Sequence, residues 1–189
     1  GSALCERLRR DGAEVDVMDM ANTGRWDYTL DLTEPFSGTW RGWDVVYLLA
    51  ARLGVDNVES DAAGILRDNV RIVQNVLDWL PNKGETLVFA SSSEVYAASA
   101  AMGLAPIPTP ENVPLVADPV SSRGSYALSK IVGESLVRHG HSKWGIVRYH
   151  NVYGPGQSRG FVIPDLIHGG PVHNPTATRA FCYIDDAIE

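Results

Sequence analysis

Two apolar runs on either side of one long amphipathic segment limit the fold of this chain more than any other feature. Asp44-Val45-Val46-Tyr47-Leu48-Leu49-Ala50-Ala51 is nearly continuous in apolar residues, and Thr86-Leu87-Val88-Phe89-Ala90 is a shorter run of the same kind. Such runs fit strands of a parallel sheet buried on both faces. Between them, Ala62, Leu66, Val70, Val73, Leu77 and Leu80 recur at helical spacing, which predicts a helix from Asp61 to Leu80. Pro81-Asn82-Lys83-Gly84 ends it. Strand, helix and strand in this order make a right-handed crossover between parallel strands.

The alternation continues in both directions. Gly1 to Arg10 reads as a helix, with Leu4 and Leu8 on one face and Asp11-Gly12 as its stop. Glu14-Val15-Asp16-Val17-Met18 alternates like a strand and ends at Asp19. A further helix is expected from Ser121 or Ser122 to about His139, and Gly145-Ile146-Val147-Arg148-Tyr149 is another apolar run. The fold class is therefore α/β: a Rossmann-like, doubly wound parallel sheet with helices on both faces. Ligands of such sheets bind at the C-terminal edge of the strands. Ala97 to Gly124 is a long connection with prolines at 106, 108, 110, 114 and 119, a length that points to a functional loop.

Composition narrows the classes. The 189 residues are 44% apolar and 21% charged, as in a globular protein with a real core. A net charge of -7 argues against a nucleic-acid surface, which needs clustered Lys and Arg. No run approaches a membrane span, and no secretory pattern opens the chain. Cys5 and Cys182 are too few and too far apart for a disulfide scaffold or a zinc site, so no metal is expected and the location is expected to be cytoplasmic.

The chemistry centres on Ser125-Tyr126-Ala127-Leu128-Ser129-Lys130. Tyr126 and Lys130 are four apart on a helix and project from one face. A free phenol titrates near ~10, and a nearby ammonium favours its phenolate. The pair therefore reads as an activated base. Near the start of the chain, an acid about 20 residues after a glycine-rich turn binds the ribose of a dinucleotide. Counting back from Asp19, Gly1 falls where the last glycine of that turn belongs. Gly1-Ser2 is otherwise an expression scar. The helix runs on directly from Gly1. Asp19 would also repel a 2′-phosphate, which favours NAD over NADP.

Taken together, the Ser91-Ser92-Ser93-Glu94-Val95-Tyr96 turn, the Tyr-x-x-x-Lys helix and Asn151-Val152-Tyr153-Gly154-Pro155 resemble the extended short-chain dehydrogenase/reductase family, NAD-dependent nucleotide-sugar epimerases, dehydratases and decarboxylases. The resemblance covers nearly the whole chain. It implies a chain that begins inside the fingerprint, with the first strand missing. It implies a domain at 1–155 that binds NAD, and at 156–189 the start of an incomplete substrate-binding region. It implies cofactor contacts at Gly1, Asp19, Asp31, Leu32, Ala50, Asn69, Tyr126 and Lys130, with Asn22-Thr23-Gly24 as the turn after the acid. Ser92, four before Tyr96, corresponds to the family's catalytic Ser or Thr. Asn151 corresponds to the asparagine that meets the substrate, and Arg179 to the arginine that binds the diphosphate. The Ser93-Glu94 pair lacks the Asp usual in 4,6-dehydratases and matches the Ser-Glu of UDP-glucuronate decarboxylases. Glu94 is then a base near C5, or only a surface carboxylate. Glu111 and Pro114 resemble the loop over the sugar, and Phe161-Val162-Ile163-Pro164 the segment over the nucleotide base. The Trp26, Trp40 and Trp43 cluster reads as packing.

The implied mechanism forms a transient 4-keto sugar. Tyr126 takes the 4-hydroxyl proton, Lys130 holds the ribose, and Ser92 supports the same oxygen. The expected partners are a nucleotide-diphosphate sugar and, through the outer face of the Tyr126 helix, a second copy in a homodimer. The rival is a non-catalytic dinucleotide-binding or scaffold protein of the same fold.

Overall fold

The computed structural model describes residues 1–21, 27–38, 41–54, 59–171, 174, 176 and 178–189. Asn22-Thr23-Gly24, Trp26 and Trp40 lie outside the described residues. The chain divides into two compact units, Asp16–Arg148 and a second made of Gly1–Val15 with Tyr149–Glu189.

In the larger unit, β1 (Met18–Asp19) pairs in parallel with β2 (Tyr28–Thr29). The strand expected over 14–18 is thus shorter, and Asp19 belongs to it. A three-stranded sheet follows in the order β3, β4, β5, formed by Val45–Leu48, Thr86–Ser92 and Trp144–Tyr149. β3 and β4 are parallel, with Val45 opposite Thr86 and Leu48 opposite Phe89. The connection between them is α2 (Ala62–Trp79). Asp61 caps it, accepting the Gly64 amide at 3.0 Å, so one of the orphan donors of the first turn is satisfied.

The long connection opens with a 3-10 turn (Ser93–Tyr96) and a short helix, α3 (Ala97–Ala101), where the sequence shows no periodicity. Five residues are too few for a helical stripe to be visible. The rest of that connection is anchored. Buried Ser99 donates to the Pro114 carbonyl at 2.8 Å and accepts the Val116 amide at 3.0 Å. It leads into α4 (Ser122–Gly140).

α2 and α4 pack on one face of the sheet. Leu48, Leu87 and Phe89 from the strands meet Ile72, Val73, Val76 and Leu80 from α2 and its C-cap, and Val137 from α4. The expectation that β3 is buried on both faces is corrected here. Val46 and Leu48 face this core, whereas Val45 and Tyr47 on the other face remain 40% and 39% exposed. Both long helices of this unit cover the same side. The stripe on α2 is corrected as well. Ile65, Asn69, Ile72, Val73 and Val76 form its buried face, while Leu66, Val70 and Leu77 are half-buried. Helix α2 carries apolar residues around more than one stripe, and the sheet takes the face richest in β-branched residues.

The approach of α4 to the sheet depends on Gly133. A Cβ there would lie 2.6 Å from the Phe89 ring and 3.4 Å from Val73. At the other end of the sheet, buried Glu85 accepts the Asn82 and Lys83 amides at 2.6 and 2.9 Å, and His141 places Nε2 3.2 Å from the same carboxylate. Burial opposes the Glu85 charge, but its hydrogen bonds hold the carboxyl below its usual range.

In the smaller unit, α1 (Ser2–Arg10) starts at the N-cap Gly1 and stops at Gly12, whose φ of 90° suits glycine. β6 (Asn151–Tyr153) pairs in parallel with β7 (Phe181–Tyr183), and Tyr153 meets Phe181 and Tyr183 edge-on. Two short helices complete it, α5 (Val162–Ile167) and α6 (Ile184–Ala187).

Gly133→Val should destabilise the protein by about 2 kcal/mol, because the added carbons must push α4 off Phe89. Urea unfolding followed by circular dichroism measures the loss, and an unchanged midpoint would show that the helix does not depend on this contact.

Candidate active site

The C-terminal end of β4 carries the first group. Ser92 is its last residue and caps the turn that follows, its Oγ accepting the Glu94 amide at 3.2 Å. Tyr126 lies on the second turn of α4, and the Ser92 hydroxyl lowers the pKa of its phenol. One helical turn further, Lys130 is 4% exposed, and its Nζ donates to the Ala90 carbonyl at 2.8 Å. The ammonium stands 4.9 Å from the Phe89 ring centre and 5.8 Å from the Tyr126 ring centre. The structure thus brings Ser92, Tyr126 and Lys130 together. Glu94 is exposed on the same turn, and its charge acts on the Tyr126 phenol.

The electrostatics correct one expectation. Burial pushes Tyr126 above the ordinary phenol value, the Ser92 hydrogen bond pulls it down, and Glu94 pushes it up again. The Lys130 ammonium, 5.8 Å from the ring centre, does not reverse this balance. Burial also acts on Lys130 itself and takes it down to about 8. In this state Tyr126 is a neutral hydroxyl, ready to donate or share a proton.

Asn69 is buried, and its side chain is fully engaged within the protein. Its Oδ1 accepts the Arg52 amide at 2.7 Å, and its Nδ2 donates to the Arg52 carbonyl at 3.1 Å and to Ser129 Oγ at 3.2 Å. It ties the segment after β3 to α4 and so positions that segment. Asp19 is exposed at the end of β1, with Oδ1 accepting the Ala21 amide at 2.9 Å. Ala50 is exposed beyond β3. Asp31 closes a small turn, accepting the Thr33 amide and hydroxyl at 2.9 and 2.7 Å, and these bonds hold its carboxyl below the usual range. Leu32 packs against the core.

The remaining candidates belong to the smaller unit. Gly1 caps α1, with nothing within 4 Å of where a Cβ would stand. Asn151 Nδ2 donates to the Ala180 carbonyl at 2.9 Å, next in the chain to Arg179, whose Nη1 donates to the Thr178 carbonyl at 2.9 Å. Both are exposed.

Inspection of the sequence missed Glu134 and Ser91. Glu134 is buried on α4, accepts Ser91 Oγ at 2.6 Å, and binds the Arg148 guanidinium through both oxygens at 2.8 and 2.6 Å. Its spacing of four from Lys130 and eight from Tyr126 was the available signal. Among the described residues no cluster of side chains suits a metal ion, and no helix is long and apolar enough to cross a membrane.

The NAD dependent epimerase/dehydratase family matches residues 1–189. The chain is 30% identical to a UDP-N-acetyl-alpha-D-glucosaminuronate decarboxylase of Bacillus cytotoxicus, an alignment that takes in 100% of this chain and 65% of that protein. Among solved structures it is similar to TunA, a NAD dependent NDP-hexosamine 5,6-dehydratase of tunicamycin biosynthesis, with a TM-score of 0.77 and 28% identity over 100% of this chain and 65% of that one. It is also similar to a UDP-galactose 4-epimerase, with a TM-score of 0.73 and 31% identity at the same coverage of 100% and 65%. The chain therefore spans slightly less than two thirds of the length of these relatives.

The buried ammonium has a measurable cost. Because Lys130 is lowered to about 8 in the folded protein, the unfolded chain holds more protons here between about pH 8 and pH 10. Wild-type stability should therefore rise relative to Lys130→Met as the pH climbs through that window, and at pH 7 the variant should be the more stable of the two. Urea midpoints for both proteins from pH 7 to pH 10 check this, and parallel curves would refute it.

Proposed function

We propose a function from the premise that the chain belongs to the NAD dependent epimerase/dehydratase family: the full-length protein is an NAD-dependent enzyme that oxidises a nucleotide sugar at C4 and then epimerises, dehydrates or decarboxylates the 4-keto sugar. The observation that carries this reading is the meeting of Tyr126 and Lys130, one turn apart on α4, with the end of a parallel strand: Lys130 Nζ donates to the Ala90 carbonyl at 2.8 Å and stands 5.8 Å from the Tyr126 ring centre, and Ser92, two residues on from Ala90, acts on the Tyr126 phenol.

The residues of the larger unit fit the cofactor. The exposed Asp19 carboxylate can accept ribose hydroxyls, and Ala50 offers an open surface without a long side chain. Lys130 uses one of its three donors on Ala90, which leaves two for a second ribose. NAD, when bound, would accept the C4 hydride and return it to the sugar after the 4-keto stage. Tyr126 as phenolate takes the proton of the sugar 4-hydroxyl, and Ser92 hydrogen-bonds the same oxygen as its charge develops. The Lys130 ammonium, 5.8 Å from the Tyr126 ring centre, supplies positive charge for that phenolate. Glu94 is exposed on the turn that follows Ser92, where it can take a C5 proton from the 4-keto sugar. Asn151 and Arg179 are assigned to the sugar and the diphosphate, a role that suits exposed donors on adjoining chain segments.

The groove between α2 and α4, of about 710 Å³ and lined by Leu77, Leu136 and His139 among others, is assigned to a second copy of the chain. Sedimentation of the full-length protein at micromolar concentration should show a dimer, and a monomer would reject this assignment.

The deciding experiment incubates full-length protein with NAD and a panel of nucleotide sugars that includes uronic acids. Product of unchanged mass identifies an epimerase, loss of water a dehydratase, and loss of carbon dioxide a decarboxylase. Tyr126→Phe should reduce turnover by at least about 100-fold while NAD affinity changes little. Full activity in that variant would reject the assignment.

A further inference from the structure

Helix α4 grips three consecutive residues at the end of β4. Lys130 holds the Ala90 carbonyl, Glu134 holds the Ser91 hydroxyl, and the Tyr126 phenol is influenced by the Ser92 hydroxyl. The three helix positions are four apart and share one face. Of these contacts, that of Glu134 branches furthest. Its carboxylate receives Ser91 Oγ and Arg148 Nε on Oε1, at 2.6 and 2.8 Å, and Arg148 Nη2 on Oε2 at 2.6 Å. Arg148 continues outward: Nη1 donates to the Tyr96 hydroxyl at 2.7 Å and to the Glu111 carbonyl at 2.9 Å, and its guanidinium lies 4.9 Å from the Tyr96 ring centre. One buried carboxylate therefore joins α4, the end of β4, the turn carrying Glu94, strand β5 and the proline-rich connection.

We propose that Glu134 is a positioning residue for the reaction assigned above: through Ser91 and the Arg148 fork it sets Ser92 against Tyr126 and holds the Glu111 segment over the same turn. The proposal rests on that functional reading. A buried ion pair contributes little net stability against an apolar replacement of equal size, because both charges lose their water. What it contributes is geometry, since a bidentate guanidinium–carboxylate pair fixes distance and plane together. Burial works against the Glu134 charge, and the bonds from Arg148 and Ser91 overcome it and hold the carboxyl below its usual range. The side chain stays ionised at neutral pH, so the fork persists while the sugar is processed.

The test uses the full-length protein. Glu134→Gln keeps the size of the side chain and one acceptor but removes the charge that holds the fork. It should lower kcat by about 100-fold, with KM and NAD affinity within about threefold of wild type, as expected for a misplaced reacting group. Glu134→Asp keeps the charge and shortens the reach, and should fall between the two. A second readout needs no turnover. The Tyr126 phenol, titrated by ultraviolet difference against Tyr126→Phe, should shift upward in Glu134→Gln as its Ser92 bond loosens. A folded Glu134→Gln protein with kcat within about twofold of wild type overturns the proposal. So does a loss of activity that only follows a loss of thermal stability while the phenol titration stays unmoved. If the wild-type protein turns over no nucleotide sugar, the functional reading fails by itself. The phenol titration then still decides whether Glu134 sets the Ser92–Tyr126 pair.

Discussion

The contact of Gly133 with Phe89 is the constraint on which the site depends. A helix packs on a sheet at a distance set by the side chains between them, and a missing Cβ lets α4 approach the aromatic ring directly. Only at that distance does Lys130 reach the Ala90 carbonyl and Glu134 the Ser91 hydroxyl. The residue that permits this carries no chemistry. The polar residues on either side of it do, and their reach is meaningful only because the backbone comes close.

Placing ionisable groups in that interface has a thermodynamic consequence. Lys130 and Glu134 are each 4% exposed, and both sit in a helix–sheet layer otherwise made of Val73, Phe89 and Val137. Glu134 is compensated by Arg148 and Ser91, so its charge is kept. Lys130 has one carbonyl and the face of Phe89, a weaker compensation, and its affinity for a proton falls. The layer thus holds one firmly ionised carboxylate and one easily titrated amine within a single turn of helix. This uneven treatment of neighbouring charges marks functional sites more often than structural ones.

Much of this was legible in the residues. The helix of Ala62–Trp79 stands where the periodicity put it, and that of Ser122–Gly140 stands where it was expected, because apolar residues recurring at helical spacing over a long segment do not fit a strand. The pairing of Tyr126 with Lys130 follows from a spacing of four. The membership of Ser92 in the same group followed from a resemblance, and in the fold its hydroxyl acts on the Tyr126 phenol. Other features were hidden for physical reasons. The exposure of Val45 and Tyr47 depends on which faces the helices choose, and a run of apolar residues is the same in either case. The work done by Asn69 depends on Arg52 and Ser129, which are 17 and 60 positions away.

The sequence alone determined the parallel α/β class, the two long helices and the face of α4 that carries Tyr126 and Lys130. These follow from local spacing, and spacing is a property of the chain itself. Tertiary structure decided the rest. It set Tyr126 upward rather than downward, since burial and Glu94 outweigh the hydrogen bond from Ser92. It also made Glu134, an ordinary helical glutamate in the sequence, the junction of five segments. Both outcomes depend on desolvation and on partners far away in the chain, and neither exists until the helix is seated on the sheet.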